Sequence, residues 1–286
     1  MPTPFRYVVC DVFTDRPLAG NQLAVFPDGD HVPVQLLQPI AREINFAETV
    51  FVHPPVAGGS ARVRIFTPSM ELPFAGHPVL GTAIVVGASR QITKVVLETG
   101  SGLVPVALER LTPRGGFGRM QQPVPTVAPF PQAADLLAAL GRRSSRLPVE
   151  LYDNGPRHVY VALESEDEVA RLQPDFGALR RLGPLTVNCF AGSGRRWKTR
   201  MFAPTLGIQE DPASGSPAGP LACHLARHGI IPFGEEIEIS QGTEVGRPSV
   251  LFARAQGSRD RIQAVEVAGA AVIIGNGEFH LDPPES

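Results

Sequence analysis

The sequence predicts an α+β protein that consists of two copies of one structural unit. Short runs with strand-like hydrophobic periodicity alternate with helical patterns along its 286 residues. The octapeptide ELPFAGHP (71–78) also returns in the second half as EDPASGSP (210–217), with Glu, Pro, Gly and Pro at the same four places. RIFTP (64–68) precedes the first copy and RMFAP (200–204) the second. We therefore predict an internal duplication with about half of the chain in each copy.

In the first half, four predicted strands precede an apolar helix and two follow it. The second of its two predicted helices begins with Pro78, whose missing N–H suits the first helical turn. The predicted strands are 6–13, 22–27, 49–54, 62–68, 94–99 and 103–110, and the predicted helices are 34–44 and 78–89.

Four prolines between residues 121 and 131 predict a semi-rigid connector that resists helix and sheet. We place the domain boundary there, which gives domains 1–122 and 123–286, with the last strand able to pack on the first domain. The second domain follows the same outline as the first. Its helices are predicted at 133–141 and 217–229, helical turns at 165–182, and strands at 158–163, 185–190 and 197–203, followed by EEIEIS, SVLFAR, RIQAVEV and AVIIG.

Composition limits the class of protein. The length suits two domains, and 43% hydrophobic and 19% charged residues without a long apolar run predict a soluble globular chain that does not enter membranes. A net charge of −2 argues against nucleic-acid binding. The first residues lack the basic and apolar regions of a signal peptide. Three scattered cysteines without a CxxC pair favour free thiols in a reducing cytoplasm.

The octapeptide has the composition of a ligand-binding helix start. Gly76 and Gly215 let the backbone approach a ligand closely, and we expect His77 and Ser216 at the N-cap, before a proline. Free N–H groups and the helix dipole at such a start favour an anion or a polarised carbonyl. The alternative is that Gly-x-Pro only marks a helix start that both halves need.

The two halves differ in their ionisable residues. His77 stands where the other copy has Ser216, and Asp211 stands where the first copy has Leu72. Glu48 interrupts the apolar stretch NFAETVFV, where desolvation would raise the pKa of its carboxyl toward that of a proton shuttle. Aligning NFAETVFV with NGPRHVYV (154–161) pairs Glu48 with an arginine, Arg157. The alternative is an ordinary strand glutamate on a solvent-facing side.

One pair of histidines has the spacing of a metal site. His224 and His228 lie one helical turn apart, and two histidines at that spacing can share a zinc ion. No glutamate follows the first histidine, and the sequence indicates no third ligand. The structural interpretation is favoured, with both histidines near a helix C-terminus and no metal bound.

Four stretches together resemble the phenazine-biosynthesis isomerase family, the PhzF-like branch of the diaminopimelate-epimerase fold. The resemblance implies two pseudo-symmetric domains, each a strongly curved, mostly antiparallel sheet wrapped around a central helix. It also implies an active site in the cleft between the domains, a homodimer, and no cofactor or metal. The matching stretches are DVFTDRPLAGNQLAVF (11–26), NFAETVFV (45–52), FTPSMELPFAGHPVLGTA (66–83) and EDPASGSPAGPLACHL (210–225).

The resemblance also assigns roles to individual residues. Glu48 would be the general acid/base, assisted by two further catalytic groups, His77 and Asp211. Substrate binding would fall to Gly76, His77, Asp211, Gly215 and Ser216. The epimerase branch uses a cysteine just before the glycine of each copy, whereas this chain has Ala75 and Ser214 there. A two-thiol epimerase mechanism is therefore excluded.

The resemblance implies an isomerase that shifts a proton within a small unsaturated carboxylic or amino acid. The best-known member acts on trans-2,3-dihydro-3-hydroxyanthranilate, moving a proton from C3 to C1 and producing a ketone tautomer. Two alternatives stay open: an isomerase of another small unsaturated amino acid in a specialised pathway, and a non-catalytic ligand-binding member of the fold.

Overall fold

A computed structural model describes residues 4–281, which form two compact units. Unit 1 comprises the described residues up to Met120 together with those from Ala268 onward, and unit 2 comprises Gln121–Val267. The domain bounds 1–122 and 123–286 stay a prediction. The α+β class predicted from the sequence is confirmed, because each unit combines a sheet with a buried helix.

Unit 1 contains a mostly antiparallel sheet and two helices. Two pairs of its strands run parallel, β2 with β3 and β4 with β6, and the other pairs are antiparallel. Its strands are β1 (Phe5–Val12), β2 (Asn21–Phe26), β3 (Glu48–His53), β4 (Ala61–Phe66), β5 (Glu71–Leu72), β6 (Lys94–Thr99), β7 (Gly102–Thr112) and β8 (Gly115–Gln122), and its helices are α1 (Val34–Ile44) and α2 (Gly76–Arg90).

The α2 helix forms the centre of unit 1. Every residue from Gly76 to Gly87 is buried, as expected for a helix that is apolar on all sides. It packs against β1, β2, β3, β6 and β7. At Gly81 an added Cβ would lie 2.7 Å from side-chain atoms of Leu23 and Val12, so a glycine is needed for the helix to approach the sheet this closely. The sheet therefore encloses the helix.

Unit 2 also encloses one central helix in a sheet, and it has three short helices besides. Its parallel pairs are β11 with β12 and β13 with β15. Its strands are β9 (Thr126–Pro129), β10 (Glu150–Asp153), β11 (Arg157–Ala162), β12 (Thr186–Ser193), β13 (Arg196–Ala203), β14 (Ile208–Asp211), β15 (Glu236–Gln241) and β16 (Ser249–Gly257), its helices are α3 (Ala133–Ala139), α4 (Glu166–Ala170), α5 (Phe176–Arg181) and α6 (Gly215–Arg227), and β17 (Ile262–Phe279) begins in this unit and ends in unit 1.

The α6 helix is the counterpart of α2. All of its residues except Ser216 and Arg227 are buried, and it packs against β11, β15 and β16. On the other side of the sheet a separate apolar cluster joins the short helices to the strands, with Leu136, Val169 and Leu179 at its centre. Within residues 4–281 no helix combines the length and the apolar character needed to cross a bilayer.

Strand register identifies the true counterpart of Glu48. In β3 and β4 Thr49 pairs with Phe66, and in β12 and β13 Val187 pairs with Phe202. Phe66 ends RIF and Phe202 ends RMF, so the two residues occupy the same place in the two copies and their partners Thr49 and Val187 correspond. Glu48, the residue before Thr49, therefore corresponds to Thr186, the residue before Val187. The alignment of Glu48 with Arg157 is therefore wrong. Neither glutamate nor arginine occupies the equivalent position in unit 2.

The proline-rich segment 121–131 also differs from its prediction. The prolines were expected to exclude sheet, yet β8 extends to Gln122 and β9 (Thr126–Pro129) pairs antiparallel with β10. Proline lacks only the N–H donor, so it is compatible with strand positions that need no ladder hydrogen bond from that residue. RIQAVEV and AVIIG are one continuous strand, β17, instead of two.

Candidate active site

The first candidate group lies in unit 1, where Glu48 and His77 meet. Glu48 is the first residue of β3 and His77 the second residue of α2. His77 Nε2 lies 3.2 Å from Glu48 Oε2, and their side chains are only 5% and 9% exposed. The contact does not have the alignment of a hydrogen bond. The solvent-facing alternative for Glu48 is thus excluded, and a carboxyl and an imidazole share one buried position.

Asn21 contacts the imidazole of His77. The amide nitrogen of Asn21 lies 3.2 Å from His77 Nδ1. The backbone of Gln22 also hydrogen-bonds to this ring, so Asn21 and Gln22 together hold the imidazole in place. Burial lowers the pKa of His77 to about 3, so the ring is neutral at physiological pH. Asn21 follows a loop that is held to β1, because the buried Asp11 of that strand accepts a hydrogen bond of 2.7 Å from the Leu18 N–H.

The helix starts differ by two residues from their prediction. The N-caps are Ala75 and Ser214, so His77 and Ser216 lie inside the first turn instead of at the cap. Neither N-cap side chain accepts a hydrogen bond from its helix. The sequence suggested Pro78 as the first helical residue, but proline is tolerated throughout the first turn because those N–H groups have no intrahelical acceptor.

The second candidate group lies in unit 2 around Asp211. Asp211 is the last residue of β14 and is 5% exposed. The hydroxyl of Ser214 donates a short hydrogen bond to its Oδ2. The position that would hold a thiol in the epimerase branch therefore orients a carboxylate in this chain.

Gln241 completes this group. Its amide nitrogen donates to the Asp211 carbonyl at 2.8 Å and to Ser214 Oγ at 2.9 Å. Its Oε1 accepts from the Ser214 N–H at 3.3 Å and from the Thr199 hydroxyl at 3.3 Å. One buried side chain thus fixes both ends of the turn that joins β14 to α6. The sequence analysis did not identify Gln241, because no motif connects it with the octapeptide.

Two side chains hold the start of α6 through hydrogen bonds to its backbone carbonyl groups. Gln122 Nε2 donates to the Gly215 carbonyl at 2.8 Å, and Asn154 Nδ2 donates to the Ser216 carbonyl at 3.0 Å. Ser216 is half-buried, unlike His77, its counterpart in the other copy. The sequence-predicted residues therefore form two groups: Glu48, Gly76 and His77 in unit 1, and Asp211, Gly215 and Ser216 in unit 2.

The shared glutamate of the octapeptide has a structural role. Arg64 binds Glu71 through two parallel hydrogen bonds of 2.7 Å each. In the other copy Arg200 binds Glu210 through bonds of 2.8 and 2.6 Å. Each pair links the strand before the octapeptide to the short strand that opens it. This repeated clamp explains why both copies begin with glutamate.

The cysteines do not contribute reactive thiols. Cys10, Cys189 and Cys223 are all buried and free. Burial raises the pKa of Cys189 and of Cys223 to about 12 and raises that of Cys10 further. Because the thiolate is the reactive form, these residues are inert at neutral pH.

The chain belongs to the phenazine biosynthesis-like protein family (PhzC-PhzF), whose model matches residues 10–277. It is 52% identical to trans-2,3-dihydro-3-hydroxyanthranilate isomerase of Pseudomonas aeruginosa, over 96% of this chain and 99% of that protein. Its fold is similar to that of a solved Bacillus anthracis phenazine biosynthesis protein of the PhzF family, with a TM-score of 0.84 and 22% identity over 98% and 100% of the two chains. A solved predicted epimerase of P. aeruginosa matches with a TM-score of 0.82 and 30% identity over 97% and 99%.

Proposed function

We propose that this protein is a cofactor-independent isomerase that shifts a proton within trans-2,3-dihydro-3-hydroxyanthranilate. The buried contact between Glu48 and His77 carries the proposal, because it supplies one carboxyl and one neutral imidazole away from bulk water. The name and the identity of the P. aeruginosa relative support the choice of substrate.

Glu48 is the general acid/base in this proposal. A proton leaves C3 of the substrate and one is delivered to C1, so the double bonds move and no electron is gained or lost overall. A carboxyl in a buried position can both accept and return a proton, and general acid/base catalysis of this kind contributes about 10²–10⁴-fold. The sister chemistry with two thiols is excluded because Ala75 and Ser214 occupy those positions.

His77 orients and assists the carboxyl. Asn21 contacts the ring at Nδ1, and Nε2 lies 3.2 Å from Glu48 Oε2. Since the imidazole is neutral, it lies beside the carboxyl without adding a positive charge that would hold the carboxyl in its ionised form. The pair can therefore change protonation state during one turnover.

In unit 2 we assign substrate recognition to Asp211, Gly215 and Ser216. The carboxylate of Asp211, oriented by Ser214, accepts a hydrogen bond from the substrate amino or hydroxyl group. The N–H groups at the starts of α2 and α6 favour the substrate carboxylate and the developing carbonyl oxygen. Gly76 has the same role in unit 1.

The assembly and the compartment are also part of the proposal. Relatives of this chain are enzymes that act on a small molecule, and we propose a cytoplasmic homodimer. Three buried free thiols support a reducing compartment, and the resemblance to the family supports the dimer. Light scattering after size-exclusion chromatography tests the dimer.

The substrate is tested by incubating the protein with trans-2,3-dihydro-3-hydroxyanthranilate in heavy water and following the ring protons by NMR. We expect conversion of the substrate and deuterium at the newly protonated carbon. Absence of conversion by the folded protein would overturn the assigned substrate.

A further inference from the structure

The C-terminal end of α6 carries a second cluster of ionisable groups. His224 and His228, one turn apart on the helix, meet Glu150 of β10. His224 Nδ1 lies 3.3 Å and His228 Nε2 lies 2.9 Å from Glu150 Oε2. The three potential ligand atoms all lie within 4.8 Å of one another. The third ligand that the sequence did not indicate therefore comes from a strand 74 positions before His224.

More donors converge on Glu150 Oε2 than one oxygen can accept. A carboxylate oxygen has about two lone-pair sites. Two of the neighbours carry hydrogen at any physiological pH, namely the guanidinium of Arg227 and the hydroxyl of Tyr152. The four side-chain atoms near this oxygen are Tyr152 OH at 3.2 Å, Arg227 Nη1 at 3.0 Å, His224 Nδ1 at 3.3 Å and His228 Nε2 at 2.9 Å.

His224 has an orphaned nitrogen in this cluster. It is fully buried, and its Nε2 has no hydrogen-bond partner. Its ring stacks on Tyr160 and meets Phe190 edge-on, so no polar group compensates on that side. Nδ1 is thus the one ring nitrogen with polar neighbours, and it faces Glu150, to which it donates a hydrogen bond when it carries the proton.

We propose that Glu150, His224 and His228 form a binding site for a divalent transition-metal ion of the zinc class. Imidazole nitrogens and one carboxylate oxygen are ligands that zinc accepts. Tetrahedral ligands at about 2.0–2.1 Å from zinc lie about 3.3–3.4 Å apart. Glu150 Oε2 already lies 3.3 Å from His224 Nδ1, and its 2.9 Å distance to His228 Nε2 would have to lengthen by a few tenths of an ångström when an ion binds. Tyr152 OH, 3.2 Å from that nitrogen, is a hydrogen-bond partner for a bound water.

Arg227 competes with the metal for the same oxygen. Its positive charge lies 3.0 Å from Glu150 Oε2, where it opposes a second cation. Arg227 and His228 also line an open depression of about 740 Å³ together with Arg259. The guanidinium therefore has space to withdraw, and an ion has a route to His228. This arrangement predicts opposite effects for two neighbouring substitutions.

The metal site is separate from the proposed active site. His224 lies nine residues after Gly215 along α6, which is about 14 Å at 1.5 Å per residue. Metal binding can therefore be measured directly, and its result does not depend on whether the proposed reaction is correct. A bound ion would connect the end of α6 to β10.

The test is a titration of the chelator-treated full-length protein with Zn²⁺, in competition with a chromophoric chelator. We expect one ion per chain, and a higher thermal midpoint with Zn²⁺ than without it. His228→Gln should weaken binding at least about 10-fold, because loss of even an outer-sphere partner costs about 10–100-fold. Arg227→Gln should tighten it severalfold, and His31→Gln, an exposed histidine in unit 1, should leave it unchanged.

Circular dichroism of each variant establishes that the fold is kept. Absence of stoichiometric binding to the parent protein would overturn the proposal. Equal affinity in His228→Gln and the parent protein would overturn it too, and so would weaker binding by a folded Arg227→Gln variant.

Discussion

His77 Nε2 and Glu48 Oε2 lie 3.2 Å apart in a position where less than a tenth of either side chain is exposed. The two residues come from β3 and α2, which the chain connects only through β4 and β5. The sheet that encloses α2 therefore brings together a carboxyl and an imidazole that are distant in sequence. In unit 2 the counterparts of Glu48 and His77 are Thr186 and Ser216. The two units therefore share the arrangement of strand and helix, but only unit 1 has a carboxyl and an imidazole at these two positions.

Gln241 should control activity through Asp211. Gln241→Met keeps the approximate size of the side chain but removes its hydrogen bonds to Asp211, Ser214 and Thr199. Loss of positioning by about 1 Å can cost about 10²-fold in rate, and leaving buried polar groups unpaired costs about 1–3 kcal/mol of stability. Steady-state kinetics should show a fall in kcat.

Gln263→Met, at an exposed position of β17, is the matched control and should keep both activity and stability. A Gln241→Met variant with full kcat would contradict a positioning role for Gln241.

The two arginine–glutamate clamps should differ in their energetic weight. Arg200 and Glu210 are 9% and 11% exposed, whereas Arg64 and Glu71 are 24% and 43% exposed. Arg200→Met leaves a buried carboxylate unpaired and should lower the free energy of unfolding by about 3–5 kcal/mol. Arg64→Met should cost about 0–1 kcal/mol, because solvent screens that pair. Urea denaturation of the two variants measures the difference, and equal losses would show that the predicted dependence on burial is wrong.

Buried histidines should make the protein sensitive to acid. Burial lowers the pKa of both His77 and His158 to about 3. Between pH of about 6.5 and 3 each of these histidines binds a proton in the unfolded chain but not in the folded one. The free energy of unfolding should therefore fall by about 1.4 kcal/mol per pH unit per histidine as the pH decreases through this window.

Urea denaturation at several pH values between 7.5 and 4.5 measures this slope. His158→Gln should reduce the slope by about 1.4 kcal/mol per pH unit, since it removes one group whose pKa is lowered in the folded protein. An unchanged slope in that variant would mean that His158 is protonated in the folded protein.

The helices α1, α2 and α6 could be predicted from the sequence because local residue patterns determine where they begin. Helix α1 was predicted at its observed bounds, and the repeated octapeptide located the starts of α2 and α6 to within two residues. An apolar run that follows a Gly-x-Pro start is a strong local signal. Strand β9 was missed because its prolines suggest irregular structure, and pairing with β10 overrides that preference.

The site was predicted only where the motif itself carries the chemistry. Glu48, His77 and Asp211 were all singled out, but neither Asn21 nor Gln241 was, because each reaches the site through tertiary packing. Glu150 likewise joins His224 and His228 from a distant strand. The counterpart of Glu48 was mistaken because similar short strands follow one another, and only the register distinguishes β11 from β12.

The central claim is that Glu48 transfers the proton, and Glu48→Gln tests it most directly, because the amide keeps the size of the side chain but cannot act as the acid or base. The measurement is the rate of conversion of trans-2,3-dihydro-3-hydroxyanthranilate, with Glu43→Gln, an exposed position on α1, as the matched control. We expect the rate to fall about 10²–10⁴-fold in Glu48→Gln and to be unchanged in the control. Full activity in a folded Glu48→Gln variant would contradict the account.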